Sequence, residues 1–268
     1  MTPRPKKFFF GTDPHVRMRD GKVCGVDLAT NNAVVQFLEA EGPWDGYIGG
    51  GDTADFNVIS SHNLGNLRAV QGESVLGEYR AVDAYLRQHY IAAGMPKFFK
   101  IIEGNHDYRI ERYIDAHPEL SGMLEMKRNL PDFVDWIPFW SEHQILTIGK
   151  ASFIHGQHLA GNHPAAHLRD YGTNIFYGHT HDMVSSALRH HGSDNTKIAH
   201  SMGCLCDYNQ EYMRGRPTKW QQGFGVFYFW PDGKFNFYPV MIFDHQFTAP
   251  SGKHYSGRKR PDTKLVLV

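Results

Sequence analysis

The chain is punctuated by five short blocks of acidic, amide and imidazole side chains in a fixed order, four of them set directly after or at the end of an apolar run. Lys7 to Phe10 reads as a buried strand that delivers Asp13-Pro14-His15. Tyr47-Ile48 leads through Gly49-Gly50 into Gly51-Asp52-Thr53-Ala54-Asp55. Phe98 to Ile102 ends at Gly104-Asn105-His106-Asp107, Ser152 to His155 carries His155-Gly156, and Asn174 to Tyr177 ends at Gly178-His179-Thr180-His181. Between the first three runs lie two helical patterns. Val34, Val35, Phe37 and Leu38 form a stripe in Asn32 to Glu41, closed by Gly42-Pro43. Leu76, Tyr79, Val82, Tyr85 and Leu86 share a face of Val75 to Ala93, with Gly94 as the stop. Alternating strand and helix predicts an α/β fold. In open sheets of that class the loops at the strand ends converge, so blocks far apart in sequence meet at one edge.

Two hairpins follow from turn chemistry. Gln144 to Ile148 and Ser152 to His155 turn at Gly149-Lys150, and Gly225 to Trp230 and Lys234 to Val240 turn at Pro231-Asp232-Gly233. Residues 1–250 are expected to form one domain. The segment from Ser251 to Val268 is polar and loop-like, with Lys253, Arg258, Lys259, Arg260 and Lys264 against Asp262, and is expected to be a flexible basic tail.

Composition removes several function classes. Lys+Arg and Asp+Glu both number 28, so no global charge draws the chain to nucleic acid or membrane. No run of 18 apolar residues predicts a membrane span. Phe8-Phe9-Phe10 after the basic start is too short for a signal-peptide core. The cysteines, Cys24, Cys204 and Cys206, have no framework spacing, which fits a reduced, cytoplasmic setting and ordinary packing. Cys204-Leu205-Cys206 lacks the second cysteine pair that a structural zinc site needs.

The five ordered blocks resemble those of the calcineurin-like metallophosphoesterase superfamily, over roughly residues 7 to 205. The resemblance implies a four-layer αββα sandwich, two mixed β-sheets flanked by helices. It implies two divalent metal ions, one held by Asp13, His15, Asp52 and His181 and the other by Asn105, His155, His179 and the shared Asp52. Such ions stand about 3.5–4 Å apart and lower the pKa of a bridging water. Oxygen and imidazole ligands without thiolate suit Mn²⁺, Fe, Zn²⁺, Ni²⁺ or Co²⁺, with Mn²⁺ favoured here. His106 is then the catalytic non-ligand that protonates the leaving oxygen, with Asp107 catalytic beside it, fixing its tautomer. Asp55 is expected to play a structural part.

Protein phosphatases carry an arginine in the second block and another before the third. This chain has Phe56-Asn57 and Glu103 there, a spelling closer to bacterial and phage-type phosphodiesterases and their nuclease relatives. Glu211-Tyr212-Met213-Arg214-Gly215-Arg216-Pro217, followed by Trp220-Gln221-Gln222-Gly223-Phe224, resembles phage-encoded members. The expected substrate is a phosphodiester: DNA, RNA or a cyclic nucleotide. A phosphomonoesterase or protein phosphatase is the alternative, and an inactive metal-binding scaffold a weaker one. Arg109 and Arg112 are expected on an exposed helix face, and His158, His163 and His167 in solvated loops. His62 and Asn63, after the second block, are open between a cleft and a solvated place.

Overall fold

The computed structural model describes residues 4–189, 191–192, 195–210, 213 and 215–257. Strand β1 (Lys6–Gly11) is followed by a small hairpin, β2 (Arg17–Arg19) and β3 (Lys22–Cys24), then helix α1 (Leu28–Glu41) and β4 (Gly46–Gly49). Helix α2 (Val75–Ala92), β5 (Phe98–Ile102), α3 (Arg109–Ala116), α4 (Met126–Asn129) and β6 (Asp135–Ile137) complete the first half. The second half runs α5 (Phe139–Glu142), β7 (Leu146–Ile148), β8 (Ala151–Phe153), α6 (His163–Tyr171), β9 (Asn174–Tyr177), β10 (Ser185–Leu188) and β11 (Lys197–Ser201). It ends with β12 (Gln222–Phe229), β13 (Phe235–Ile242), β14 (Gln246–Thr248) and β15 (His254–Ser256).

Two mixed sheets result. One has six strands in the order β13-β12-β1-β4-β5-β6, with β1, β4, β5 and β6 parallel and β12 antiparallel to β1. The other has five, β10-β11-β9-β8-β7, in which β8, β9 and β11 are parallel. Alternation along β1 builds the layers. Phe9 points to the helices, stacking on Tyr47 at 5.1 Å within a core shared with α1 and α2. Phe8 and Phe10 point the other way, and Phe10 meets Phe153 of the second sheet at 5.1 Å. Helix α6 covers the far face of that second sheet, against β9, β10 and β11. The chain is therefore a four-layer αββα sandwich, and both inner layers are aromatic, each fully buried ring stabilising by about 1.5–3 kcal/mol.

Local chemistry sets the element ends. Asp27 caps α1 by accepting from the Thr30 N–H at 2.9 Å, so the helix begins earlier than its apolar stripe. Ser74 caps α2 in the same way. Leu76, expected on the buried face of α2, is 59% exposed, whereas Tyr79, Val82, Tyr85 and Leu86 are buried. It lies on the outward side of the first turn, whose inward side is taken by Val75, Glu78 and Tyr79. The segment expected as a loop from Ser251 is ordered as far as Gly257: His254–Ser256 pairs with Gln246–Thr248, and Tyr255 donates to Glu41 Oε1 at 2.9 Å. The rest of the expected basic tail, 258–268, lies outside the described residues, as do 211, 212 and 214 of the phage-like stretch.

Candidate metal centre

The blocks meet because the loops leaving parallel strands are strapped together by main-chain hydrogen bonds. Asp13 N–H donates to Gly51 O and His15 N–H to Asp52 O, each at 3.0 Å, joining the exits of β1 and β4. Gly178 N–H donates to His155 O at 2.8 Å, and His179 N–H to Asp13 Oδ2 at 2.9 Å. Asp13, His15, Asp52, His179 and His181 all have left-handed backbones, with φ between 48° and 68°. Such a conformation costs about 1–3 kcal/mol at a non-glycine residue and gathers at functional sites. Glycine is required at two neighbours. Gly51 has φ 100° and packs against the His155 ring, and a Cβ on Gly104 would lie 2.1 Å from Asp52 Oδ1.

Seven side chains converge there. His181 Nε2 is 3.1 Å from both His15 Nε2 and Asp13 Oδ1. His155 Nε2 is 3.0 Å from Asn105 Oδ1 and 3.3 Å from Asp52 Oδ2. Asp52 Oδ2 also stands 3.7 Å from His15 Nε2, so one carboxylate lies between the two sets. Asp13, His15 and His181 form a cluster able to hold an ion, and Asp52, His155 and His179 form a second.

The outward nitrogens support that use. His155 Nδ1 faces Gly50 O at 2.9 Å, and His15 Nδ1 faces Asp55 Oδ1 at 3.3 Å. Each contact places the ring proton on Nδ1 and directs the Nε2 lone pair into the centre, the arrangement that orients metal-binding histidines. Among the described residues, no lysine or arginine pairs with Asp13 or Asp52, although both are buried. Thr12 Oγ1 and the His179 N–H donate to Asp13 and the His106 N–H donates to Asp52, and the remaining carboxylate oxygens face imidazoles, a donor set that fits divalent cations.

The electrostatics show the same demand for positive charge. Burial pushes the Asp52 carboxyl up, but His155, His106 and His15 outweigh it and hold the group well below the usual carboxylate range. Burial lowers His155 and His181, yet Asp52 raises the first and Asp13 the second, each to about 9. His179 is pushed down to about 4 by burial and by His155.

His106 adjoins these two clusters and itself forms a further group able to hold an ion with His15 and Asp52. Its main-chain N–H donates to Asp52 Oδ1 at 2.7 Å, and its Nδ1 is 2.5 Å from Asp55 Oδ1. Asp107, expected to orient this ring, does something else. Its carboxylate accepts the main-chain N–H groups of Thr53, Ala54 and Gly104, at 3.3, 2.8 and 2.9 Å, and so ties the second block to the third. Burial and the nearby Asp52 raise its pKa to about 7. The second acid of the G-D-x-x-D spelling has the orienting position, and its short spacing from Asp52 was the available signal.

Arg109 departs from expectation in the same region. Its guanidinium turns inward: Nη1 donates to Asp55 O at 2.7 Å, and Nη2 lies 3.1 Å from His106 Nε2. Arg112 is exposed as expected. His163 and His167 are buried on α6, not solvated. His163 bridges the Tyr177 hydroxyl at 2.7 Å and Asp182 at 3.1 Å, so it braces the loop bearing His179 and His181. His158 pairs with Asp170 at 2.8 Å, and His62 and Asn63 line a cavity beside His106. Sequence reading also missed two rings: Trp140 lies 5.6 Å from His179, and Trp220 4.4 Å from His181. Cys206 Sγ is 3.9 Å from His181 Nδ1. Burial and Cys204 hold the Cys206 thiol well above its ordinary value, and Cys204, Cys206 and His181 also lie close enough together to hold an ion.

No family model matches this sequence, and no curated protein is similar to it. Among solved structures it is similar to a metallophosphoesterase from Sphaerobacter thermophilus, at 15% identity and a TM-score of 0.41, over 88% of each chain. It is similar to Vps29 from Chaetomium thermophilum at 12% identity and a TM-score of 0.39, over 88% of this chain and 98% of that one. The NAD nucleotidase NadN of Haemophilus influenzae gives 12% identity and 0.39, over 94% of this chain and 59% of that one. Likenesses this distant leave the fold to rest on strand order and register. On those, the chain has the four-layer αββα sandwich implied by its motif resemblance to calcineurin-like metallophosphoesterases.

Proposed function

We propose that this chain hydrolyses phosphodiesters at a centre of two divalent cations, of which Mn²⁺ is the favoured pair. The position of Asp52 between the two ligand sets carries the reading, because a carboxylate has two oxygens and can face both ions. Asp13, His15 and His181 would hold one cation, Asn105, His155 and His179 the other. When bound, such a pair supplies Lewis acidity toward the phosphoryl oxygens and makes hydroxide available near neutral pH.

The chain's own groups supply the rest. His106 stands next to Asp52 with its Nδ1 proton held by Asp55, so the Nε2 edge is the one free to exchange a proton with substrate. Arg109 occupies that edge in the free protein. A phosphoryl oxygen that takes the Arg109 N–H would release Nε2 to face the leaving oxygen. Once Arg109 has turned to the phosphoryl oxygen, Nε2 takes a proton from water; hydroxide adds to phosphorus, the P–O bond to the leaving group breaks, and His106 passes the Nε2 proton to that oxygen. DNA, RNA and cyclic nucleotides are the substrates this reading admits.

Diester preference follows from charge. The second and third blocks lack the arginines of protein phosphatases, and Arg17 is matched by Asp55 and Glu73, each at 3.3 Å. Arg109 supports the second reading, a phosphomonoesterase, since it brings one guanidinium to the site, although Asp55 shares its charge at 3.4 Å. A comparison of kcat/KM for bis(p-nitrophenyl) phosphate and p-nitrophenyl phosphate tests this, because both release the same phenol. A higher value for the diester with the best metal supports the proposal, and a clear monoester preference across metals promotes the alternative.

A further inference from the structure

A cavity of about 550 Å³ opens beside His106 and Asp55, within the ~300–1,000 Å³ usual for small-molecule sites. Its wall is the segment between β4 and α2, a run of short 3₁₀ turns at Asn57–Ile59, Ser61–Asn63 and Leu67–Val70. Three arginines reach it, Arg17, Arg109 and Arg216, against one carboxylate, Asp55. Asn57, Asn63 and Asn66 add amides, and among the described residues Ala69 is the only apolar one in the lining. Arg109 stands at the inner end, on the His106 ring, while Arg216 is exposed.

We propose that this cavity receives the leaving group, and that the leaving group carries an anion of its own, as a phosphorylated sugar does. The inference rests on the diester reading above. If His106 protonates the departing oxygen, that oxygen and what it bears must leave on the His106 side, where this cavity lies. Ala69 is the one apolar side chain among the described lining residues, so the apolar surface of this wall comes mainly from the stems of polar side chains, whose ends present amides and guanidinium groups. Such a wall offers hydrogen bonds to hydroxyls and charge-assisted bonds to a phosphate, which guanidinium can make in pairs. Arg17 is buried and held by Asp55, Glu73 and Gln210, so among the described residues the cations that can meet the ligand are Arg109 and Arg216. The chemistry is the same for the next nucleotide of a strand and for a free phosphorylated nucleoside.

Thymidylyl dinucleotides with free ends, with a 5′-phosphate or with a 3′-phosphate separate the cases, because only one phosphate sits on the leaving side. Product analysis distinguishes cleavage of the central diester from removal of the end phosphate. One phosphorylated form should be cleaved with kcat/KM about tenfold above the free-ended form, about one well-placed charge-assisted contact. Arg216→Ala should erase most of that ratio, and lengthening the substrate beyond the phosphate should add to it only if a strand is the natural ligand. Equal kcat/KM for all three dinucleotides, or an advantage that survives Arg216→Ala, overturns the inference while cleavage of bis(p-nitrophenyl) phosphate leaves the diester reading intact. No cleavage of any diester overturns both.

Discussion

The carboxylate of Asp55 lies 2.5 Å from Nδ1 of His106, so the second sequence block orients the proposed proton donor of the third. The same oxygen stands 3.3 Å from His15 Nδ1. One acid thus sets the ring orientation of a candidate ligand and of the residue that faces the leaving group. Removing such an outer partner typically costs about 10–100-fold in metal affinity or activity. Asp55→Asn should lower kcat by that order even at saturating metal, with KM changing less. Asp107→Asn should instead lower the thermal midpoint, because it disturbs a carboxylate that accepts three main-chain N–H groups. Steady-state kinetics with thermal melts on both variants check the division.

His106→Ala should reduce kcat by about 10²–10⁴-fold while metal content stays near that of the parent chain. The loss should shrink for diesters with very good leaving groups, which need less protonation. Metal analysis decides between roles: a variant that loses metal would place His106 among the ligands.

Asp52→Asn should cut activity severely, and Asp52→Ala should cut metal content as well. Asparagine tolerates the left-handed φ of 48° and keeps one oxygen, whereas alanine keeps no oxygen and adds backbone strain. Near-normal occupancy and turnover in both variants would remove Asp52 from the bridging position.

His89 gives a test of stability away from the centre. Burial pushes its pKa down to about 3, and its ring nitrogens meet the Tyr47 hydroxyl at 2.9 Å and Asn31 Oδ1 at 2.7 Å. The folded state therefore holds it neutral. Its contribution is complete above the unfolded value near 6.5 and is lost as pH falls from there toward 3, because the unfolded chain binds the extra proton. The slope is about 1.4 kcal/mol per pH unit within that window. Urea midpoints at pH 7 and pH 5 should differ less in His89→Gln than in the parent chain, although the variant is less stable at both.

Much of this was legible in the sequence because apolar runs and their breakers are local. The turn at Gly149-Lys150 and the strand from Asn174 to Tyr177 lie where expected. The donor blocks could be read because each is contiguous. What escaped depends on long-range packing. Arg109 begins a helix, so its exposure seemed settled, yet the helix approaches the loop of Asp55 closely enough for its side chain to reach back. His163 and His167 follow the His155 block and are expected in solvated loops, but α6 begins at His163 and buries both against Tyr177. The choice of Asp55 over Asp107 as partner of His106 turns on which way two adjacent loops face, and no spacing rule carries that. Trp140 carries no motif, and the phage-like stretch that includes Trp220 gives no sign that its ring lies against His181.

The left-handed turns at Asp13, His15, Asp52, His179 and His181 also bear on how this protein can change over time. Glycine at any of them would relieve about a kilocalorie per mole or more of backbone energy. Random substitution judged by folding alone would therefore favour erasing the donors. A descendant freed from its chemistry should drift toward glycine and asparagine at these positions and melt at a higher temperature. The most durable version of this sandwich is not the one that can work.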